Sequence, residues 1–143
     1  MDEQKMQLLL DRMEIIDVEN RYAMGVDTRD SELHGSCFAE ELEVDMSGMG
    51  AGEPMTMPGK AWAEQAVSLV GMFLATQHMI TNHRITIDGD RATCVAYVKA
   101  QHYNPDSIWT VVGTYTNELE RTADGWKITK LKLTPTWQLT TKI

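Results

Sequence analysis

Cysteine, basic residues and long apolar runs are scarce in this chain, and each scarcity excludes something. Only two cysteines, Cys37 and Cys94, occur in 143 residues. A chain of this length builds a core without a covalent staple, and one pair is no disulfide framework. Two free thiols are therefore expected. They form no CxxC pair, which speaks against a structural zinc site. Thirteen Lys and Arg stand against 21 Asp and Glu, for a net charge of −8. A groove that tracks phosphates needs concentrated positive charge, so no nucleic-acid partner is expected. The same balance disfavours an anionic membrane surface and favours solubility. No stretch approaches the roughly 20 apolar residues of a membrane span. The first residues have a short apolar run at Leu8, Leu9 and Leu10 but no basic segment and no small-residue cleavage site, so no secretory signal is read there and the expected location is cytoplasmic. Repeats and low-complexity tracts are missing too. The expectation is one domain over residues 1–143 with one core.

What is present divides into a helical half and a strand half. Residues 5–27 are expected as a helix, with Leu9, Met13, Ile16 and Ala23 on one stripe and Leu8, Ile15, Tyr22 and Val26 on the next. Arg12 and Glu19 interrupt that face. A short second helix is expected within 31–40, around Leu33 and Phe38, and a strand over 42–46. Residues 47–58, rich in Gly, Met and Pro, suggest a loop or loose hairpin. A helix is expected over 60–76. Strands then follow over 83–88, 91–103, 108–121 and 126–134, with turn signals at Asp88-Gly89-Asp90, Asn104-Pro105-Asp106-Ser107 and Ala123-Asp124-Gly125. Helices followed by an antiparallel meander define an α+β domain whose helices cover one sheet face.

A few residues stand out chemically. Asp27 lies five helical turns after Leu9, on an expected core stripe, where a carboxylate is costly unless paired. It is either a paired site residue or a helix-end carboxylate turned to solvent or capping the next turn. His78, between an apolar helix and a strand, is either a pocket group or a structural histidine. His102 continues the face Ala96, Val98, Ala100, and is either a pocket group or a strand-end residue facing water. Tyr22 and Tyr115 serve packing or a site. Ten methionines form either a plastic core or an adaptable pocket. Four of them, Met46, Met49, Met55 and Met57, crowd one segment in the manner of a lid. The glycines at 48, 50 and 52 have no Walker lysine, no GxSxG elbow exists, and His78 and His83 are not spaced as in HExxH. No cofactor and no metal site are expected.

The ordered set of motifs resembles the SnoaL-like branch of the nuclear-transport-factor-2-like superfamily. The set comprises Tyr22-Ala23-Met24-Gly25-Val26-Asp27, Gln77-His78-Met79-Ile80-Thr81-Asn82, Asp88-Gly89-Asp90-Arg91-Ala92, Ala100-Gln101-His102, Gly113-Thr114-Tyr115-Thr116-Asn117-Glu118-Leu119-Glu120-Arg121 and Gly125-Trp126-Lys127-Ile128. It covers almost the whole chain. The resemblance implies a cone-shaped, curved, antiparallel-rich sheet packed against N-terminal helices and enclosing an apolar pocket. It extends to lindane dehydrochlorinase, scytalone dehydratase and bile-acid dehydratase, and implies a cofactor-independent lyase with Asp27 and His78 as an Asp–His dyad. Tyr22, His102, Tyr115, Trp137 and Lys130 are implied as substrate-binding. The dehydrochlorinase has a lysine where this chain has Tyr22, and an arginine where it has Leu131 flanked by Lys130 and Lys132. A tyrosine suits a hydroxyl leaving group or a carbonyl oxygen better than chloride. The other functions open to this fold are a ketosteroid-isomerase-type proton shuttle and a non-catalytic small-ligand domain. The relatives further imply a small-molecule substrate and a homo-oligomer, a trimer ahead of a dimer.

Overall fold

A computed structural model describes residues 2–143. Helix α1 (Glu3–Asp27) opens on Asp2, whose carboxylate accepts the Lys5 amide at 2.8 Å. Helix α2 (Ser31–Gly35) opens on Asp30 in the same way, with the Leu33 amide at 2.9 Å. Strand β1 (Phe38–Asp45), a single 3-10 turn (Ser47–Met49), strand β2 (Met55–Pro58) and helix α3 (Gly59–Val70) follow. The long meander β3 (Ala75–Asp88), β4 (Arg91–Tyr103), β5 (Ser107–Thr122) and β6 (Gly125–Lys142) completes the chain. The sheet has six strands in the order β2-β1-β6-β5-β4-β3 and is antiparallel except for the β1–β6 pair. It is curved and does not close on itself. Among the described residues, no helix is long and apolar enough to cross a membrane.

The α+β architecture agrees with the sequence pattern, but several boundaries move. The second helix ends at Gly35, and Phe38 begins β1 instead of sitting in a helix. Helix α3 stops at Val70; Phe73 and Leu74 lie beyond it, and the Leu74 amide already bonds the Tyr103 carbonyl of β4. β3 therefore starts at Ala75, and His78 lies within it, not before a strand. Its inward-facing residues change parity at a bulge between Thr81 and Arg84, where Asn82 takes a left-handed φ of 57°. Thr76, His78 and Ile80 face in before the bulge; His83, Ile85 and Ile87 do so after it. An alternating pattern broken this way looks like a shorter strand. β6 runs to Lys142, eight residues past the expected end at Thr134. Pro135 is accommodated at a bulge opposite Gly113, where a Cβ would approach the Thr134 carbonyl to 2.6 Å.

Of the two expected stripes of α1, the first is buried only toward its end and the second from Ile15 onward. Leu9 and Met13 are 48% and 69% exposed, whereas Ile15, Val18, Tyr22 and Val26 enter the core. Asp11 and Glu19 lie on that same buried face. Asp11 accepts two hydrogen bonds from Arg121, at 2.7 and 3.0 Å, which hold its pKa down to about 2. At Gly25 an added Cβ would sit 2.5 Å from the His34 amide nitrogen. Glycine there lets α2 fold directly onto α1.

Glu19 is wholly buried, and Asn117 Nδ2 donates to both its carboxyl oxygens at 3.0 and 3.1 Å. Burial raises its pKa from 4.5 to about 7, outweighing the opposing pull of Asn117. Between these values the folded protein holds a proton that the unfolded chain releases, so stability falls as pH rises. Urea unfolding of wild type and Glu19→Gln should show a gap that is constant below about pH 4.5 and widens in the variant's favour up to about pH 7, by on the order of 3 kcal/mol. Parallel pH profiles would contradict a buried, proton-holding Glu19.

Candidate active site

Strand register carries the side chains of interest to the concave face of the sheet. His78 pairs with Ala100, Thr76 with His102, His102 with Trp109, and Ala96 with Tyr115. The three helices close over that face and leave a cavity of about 480 Å³, within the range of small-molecule sites. Its polar lining residues include Tyr22, His34, His78, His102, Trp109 and Tyr115, with Glu53 and Gln65, and five methionines, Met46, Met49, Met55, Met57 and Met72, stand among its apolar ones.

Asp27 is the last residue of α1 and lies just behind this wall. Its Oδ1 accepts from His78 Nδ1 at 2.7 Å and from Thr76 Oγ1 at 2.9 Å, while Oδ2 accepts the His78 backbone amide at 2.7 Å. Donation from Nδ1 selects one tautomer of His78 and leaves the Nε2 lone pair on the opposite edge of a ring that lines the cavity. The side chains of His78 and Asp27 are only 9% and 15% exposed. The pair is thus shielded from bulk water, and the geometry is that of a base held by an orienting carboxylate.

Arg29 holds the surroundings of Asp27 together. It sits at a left-handed φ of 60°, an uncommon backbone position for a residue with a side chain. Its guanidinium donates to Thr76 Oγ1 at 2.8 Å, to the Val70 carbonyl at 2.9 Å and to the Val26 carbonyl at 3.2 Å. One side chain therefore ties the ends of α1 and α3 to the start of β3.

Tyr22 and Tyr115 share a hydroxyl–hydroxyl hydrogen bond of 2.8 Å inside the cavity. One hydroxyl donates to the other, so one O–H of the pair remains free for a ligand oxygen. Burial raises both phenol pKa values, keeping both as neutral donors. His102 donates from Nδ1 to the Trp109 carbonyl at 3.1 Å, and its ring centroid lies 5.7 Å from that of His78. Burial lowers its pKa, which favours the neutral ring.

Five of the seven residues singled out in the sequence meet here: Asp27, His78, Tyr22, His102 and Tyr115. Two do not. Lys130 is on the other face of the sheet, paired with Glu43 at 3.0 Å and with Glu118 at 4.0 Å, because the strand alternation that buries Leu131 turns Lys130 outward. Trp137 is 53% exposed and lies outside the cavity, in the part of β6 beyond the last residue that pairs with β1. The sequence reading passed over Thr76, Arg29 and His34. A left-handed arginine and a threonine at a strand start carry no local signal; only the fold brings them together. Among the described residues, no three His, Cys, Asp or Glu are grouped to hold a metal ion.

A family model described as the SnoaL-like domain matches residues 7–132. No curated protein matches the chain. Among solved structures, the Kfla4162 protein of Kribbella flavida is 38% identical, with a TM-score of 0.87 over 92% of this chain and 95% of that one. A proposed aromatic ring hydroxylase of Novosphingobium aromaticivorans is 29% identical, with a TM-score of 0.81 over 94% of each chain. The hexachlorocyclohexane dehydrochlorinase LinA-type3 of Novosphingobium barchaimii LL02 is 22% identical, with a TM-score of 0.84 over 96% of this chain and 94% of that one. At that identity the likeness speaks for the shared fold, and it places a lyase among the fold's neighbours. With the family model matched over most of its length, on the fold that its motif order implied, the chain belongs to the SnoaL-like domain family.

Proposed function

We propose that this protein is a cofactor-independent lyase of dehydratase type, acting on a small cyclic substrate with Asp27 and His78 as its base. The observation that carries this reading is the 2.7 Å contact between His78 Nδ1 and Asp27, with the opposite ring edge on the cavity. His78 Nε2 takes a proton from carbon beside a carbonyl. The electron pair forms the new double bond as the C–O bond breaks. The free O–H of the Tyr22–Tyr115 pair steadies the developing enolate oxygen or the departing hydroxyl. The imidazolium then gives its proton to the leaving hydroxide, so an alkene and water form and the base is restored. Elimination is redox-neutral, so these residues need no oxidant or reductant. Two apolar side chains exposed outside the cavity, Trp137 and Leu139, favour a homo-oligomer that covers them, of which a trimer is our expectation.

A panel of cyclic β-hydroxy ketones, a β,γ-unsaturated ketosteroid and a polychlorinated cyclohexane, followed by mass spectrometry, tests the reaction class. Loss of water is expected. Constant mass would make the protein an isomerase, loss of hydrogen chloride a dehydrochlorinase, and gain of oxygen a hydroxylase. His78→Ala should remain folded and lose about 10³-fold or more in turnover. A fully active variant removes His78 as the base.

Two further outcomes follow from the geometry. Nitrogen NMR of wild type should find His78 protonated at Nδ1. In Asp27→Asn an amide cannot accept at both positions, so that tautomer should lose its dominance; an unchanged spectrum would mean that Asp27 does not set it. Tyr22→Phe should lower kcat about tenfold to a thousandfold with little change in KM. Unaltered kcat would leave Tyr22 no role beyond packing.

A further inference from the structure

Glu19 is a buried acid that the Asp27–His78 chemistry does not use, and it stands beside the tyrosine pair. It precedes Tyr22 by three residues on the buried face of α1, so the two side chains are neighbours on the helix. Asn117 and Tyr115 are two residues apart on β5 and share its inward face. The Asn117–Glu19 contacts, at 3.0 and 3.1 Å, and the Tyr22–Tyr115 contact, at 2.8 Å, are therefore successive rungs between the same helix and the same strand. The first rung is anchored from behind. Asn117 Oδ1 accepts the Lys132 amide of β6 at 3.4 Å, which turns Nδ2 toward Glu19.

Among the described residues, no cation pairs with Glu19. Its titratable neighbours are the Cys94 thiol from β4, the Cys37 thiol just before β1, Tyr22 from α1 and Tyr115 from β5. All four are neutral, their pKa values raised by burial and raised further by the Glu19 charge. Arg12, Arg21 and Lys127 act on the two thiols, and their hydrogen bonds go elsewhere, to the Ile85 carbonyl, to Asp17 and Ser36, and to the Ser36 carbonyl. An ionised Glu19 thus sets an uncompensated negative charge one rung from the tyrosine hydroxyls. In surroundings of low dielectric such a charge acts strongly. It opposes a second negative charge growing on an oxygen that those hydroxyls bind.

We propose that Glu19 is a positioning residue that acts through the Tyr22–Tyr115 pair. In its neutral form it leaves the free hydroxyl at full strength toward an anionic oxygen, and in its ionised form it weakens that hydroxyl, so that the site is turned down as pH rises. The proposal rests on the lyase reading for the reacting oxygen, whereas the coupling of Glu19 to the tyrosines stands apart from turnover. The direction is diagnostic. Protonation of His78 or Asp27 disables the base, so both make turnover fall toward acid, not toward alkali. His34, which packs on Tyr22 from α2, and His102 have pKa values lowered by burial and stay neutral as pH rises from 6.5. The tyrosines and thiols are shifted upward, away from neutral pH. Of these groups Glu19, raised by burial to about 7, is the one that gains a negative charge in the neutral range.

The test is the pH profile of kcat on the cyclic β-hydroxy ketones of the panel above. Wild type should fall about threefold to thirtyfold toward alkaline pH with a midpoint near pH 7. Glu19→Gln, uncharged throughout, should show no such fall. The same fall in Glu19→Gln, or none in wild type, overturns the proposal. A measurement without turnover accompanies it: carbon NMR of protein labelled at tyrosine Cζ, with Tyr97, 59% exposed on β4, as the internal control. The Tyr22 and Tyr115 resonances should shift through about pH 7 in wild type and stay still in Glu19→Gln; still resonances in wild type overturn the proposal. Should Glu19→Gln not fold, wild type labelled also at glutamate Cδ decides. The Glu19 and tyrosine resonances must then share one midpoint, and separate midpoints overturn the coupling. A panel in which nothing reacts counts against the lyase reading alone, and the tyrosine shifts then judge the coupling by themselves.

Discussion

The acceptor load on Asp27 is the interaction on which the site depends. A carboxylate at the last residue of a helix opposes the helix dipole, whose C-terminal end is already negative. In this protein the opposition is offset locally. Three donors, the His78 ring, the His78 amide and the Thr76 hydroxyl, converge on the two oxygens. The Arg29 guanidinium caps helix-end carbonyls from both α1 and α3. Because all three donors come from the start of β3, the carboxylate also joins helix to sheet. The hydrogen bond that fixes the tautomer of His78 therefore also fixes where α1 ends against the sheet. The geometry of the Asp27–His78 pair and the docking of α1 on the sheet are set by the same contacts.

What the sequence revealed of this follows from which interactions are local. The order of elements was legible because it depends on turn residues and alternation along one strand at a time. Ala96, Val98, Ala100 and His102 share a face in the sequence and share it in β4. Asp27 and His78 each stood out locally, but only the order of motifs paired them, and the bulge after Thr81 disguised the first part of β3, so that His78 looked as if it preceded the strand. The buried face of α1 was legible only in part, through Ile15, Tyr22 and Val26, because two of its core positions are acids. Glu19 finds its partner Asn117 far along the chain, and Asp11 finds Arg121 farther still. Nothing near either acid in sequence announces a partner, whereas Leu9 and Met13 look apolar and stay exposed. Lys130 was misplaced for the complementary reason: family position suggested the site, but strand parity turned it outward. His34 was invisible because its place in the cavity lining requires the glycine at position 25 to bring α2 against α1.

Burial does more than hide these groups; it sets their charge. The tyrosine pair, His34 and His102 are all pushed toward their neutral forms. A low-dielectric cavity makes each hydrogen bond stronger and each unpaired polar atom costlier. The result is a site with directional donors and acceptors and, beyond the dyad, one lining carboxylate, the exposed Glu53, a combination better suited to a neutral molecule than to an anion. The chain's net charge of −8 gives no reason to expect attraction of anions either.

The two walls of the cavity divide specificity from tolerance. Most of the polar groups sit on the long strands and on helices packed closely against one another, where hydrogen bonds fix the rings of His34, His78 and His102. The opposite wall is built around a single 3-10 turn and the four-residue edge strand β2, and carries Met46, Met49, Met55 and Met57. Gly50 and Gly52 within it take left-handed φ values of 79° and 83° with open space around them, so no packing contact holds that backbone at those points. Methionine adapts its shape at little cost. A ligand can therefore vary in its apolar bulk without disturbing the orientation of its polar end. Discrimination should accordingly depend on where a ligand carries its polar groups more than on its apolar bulk.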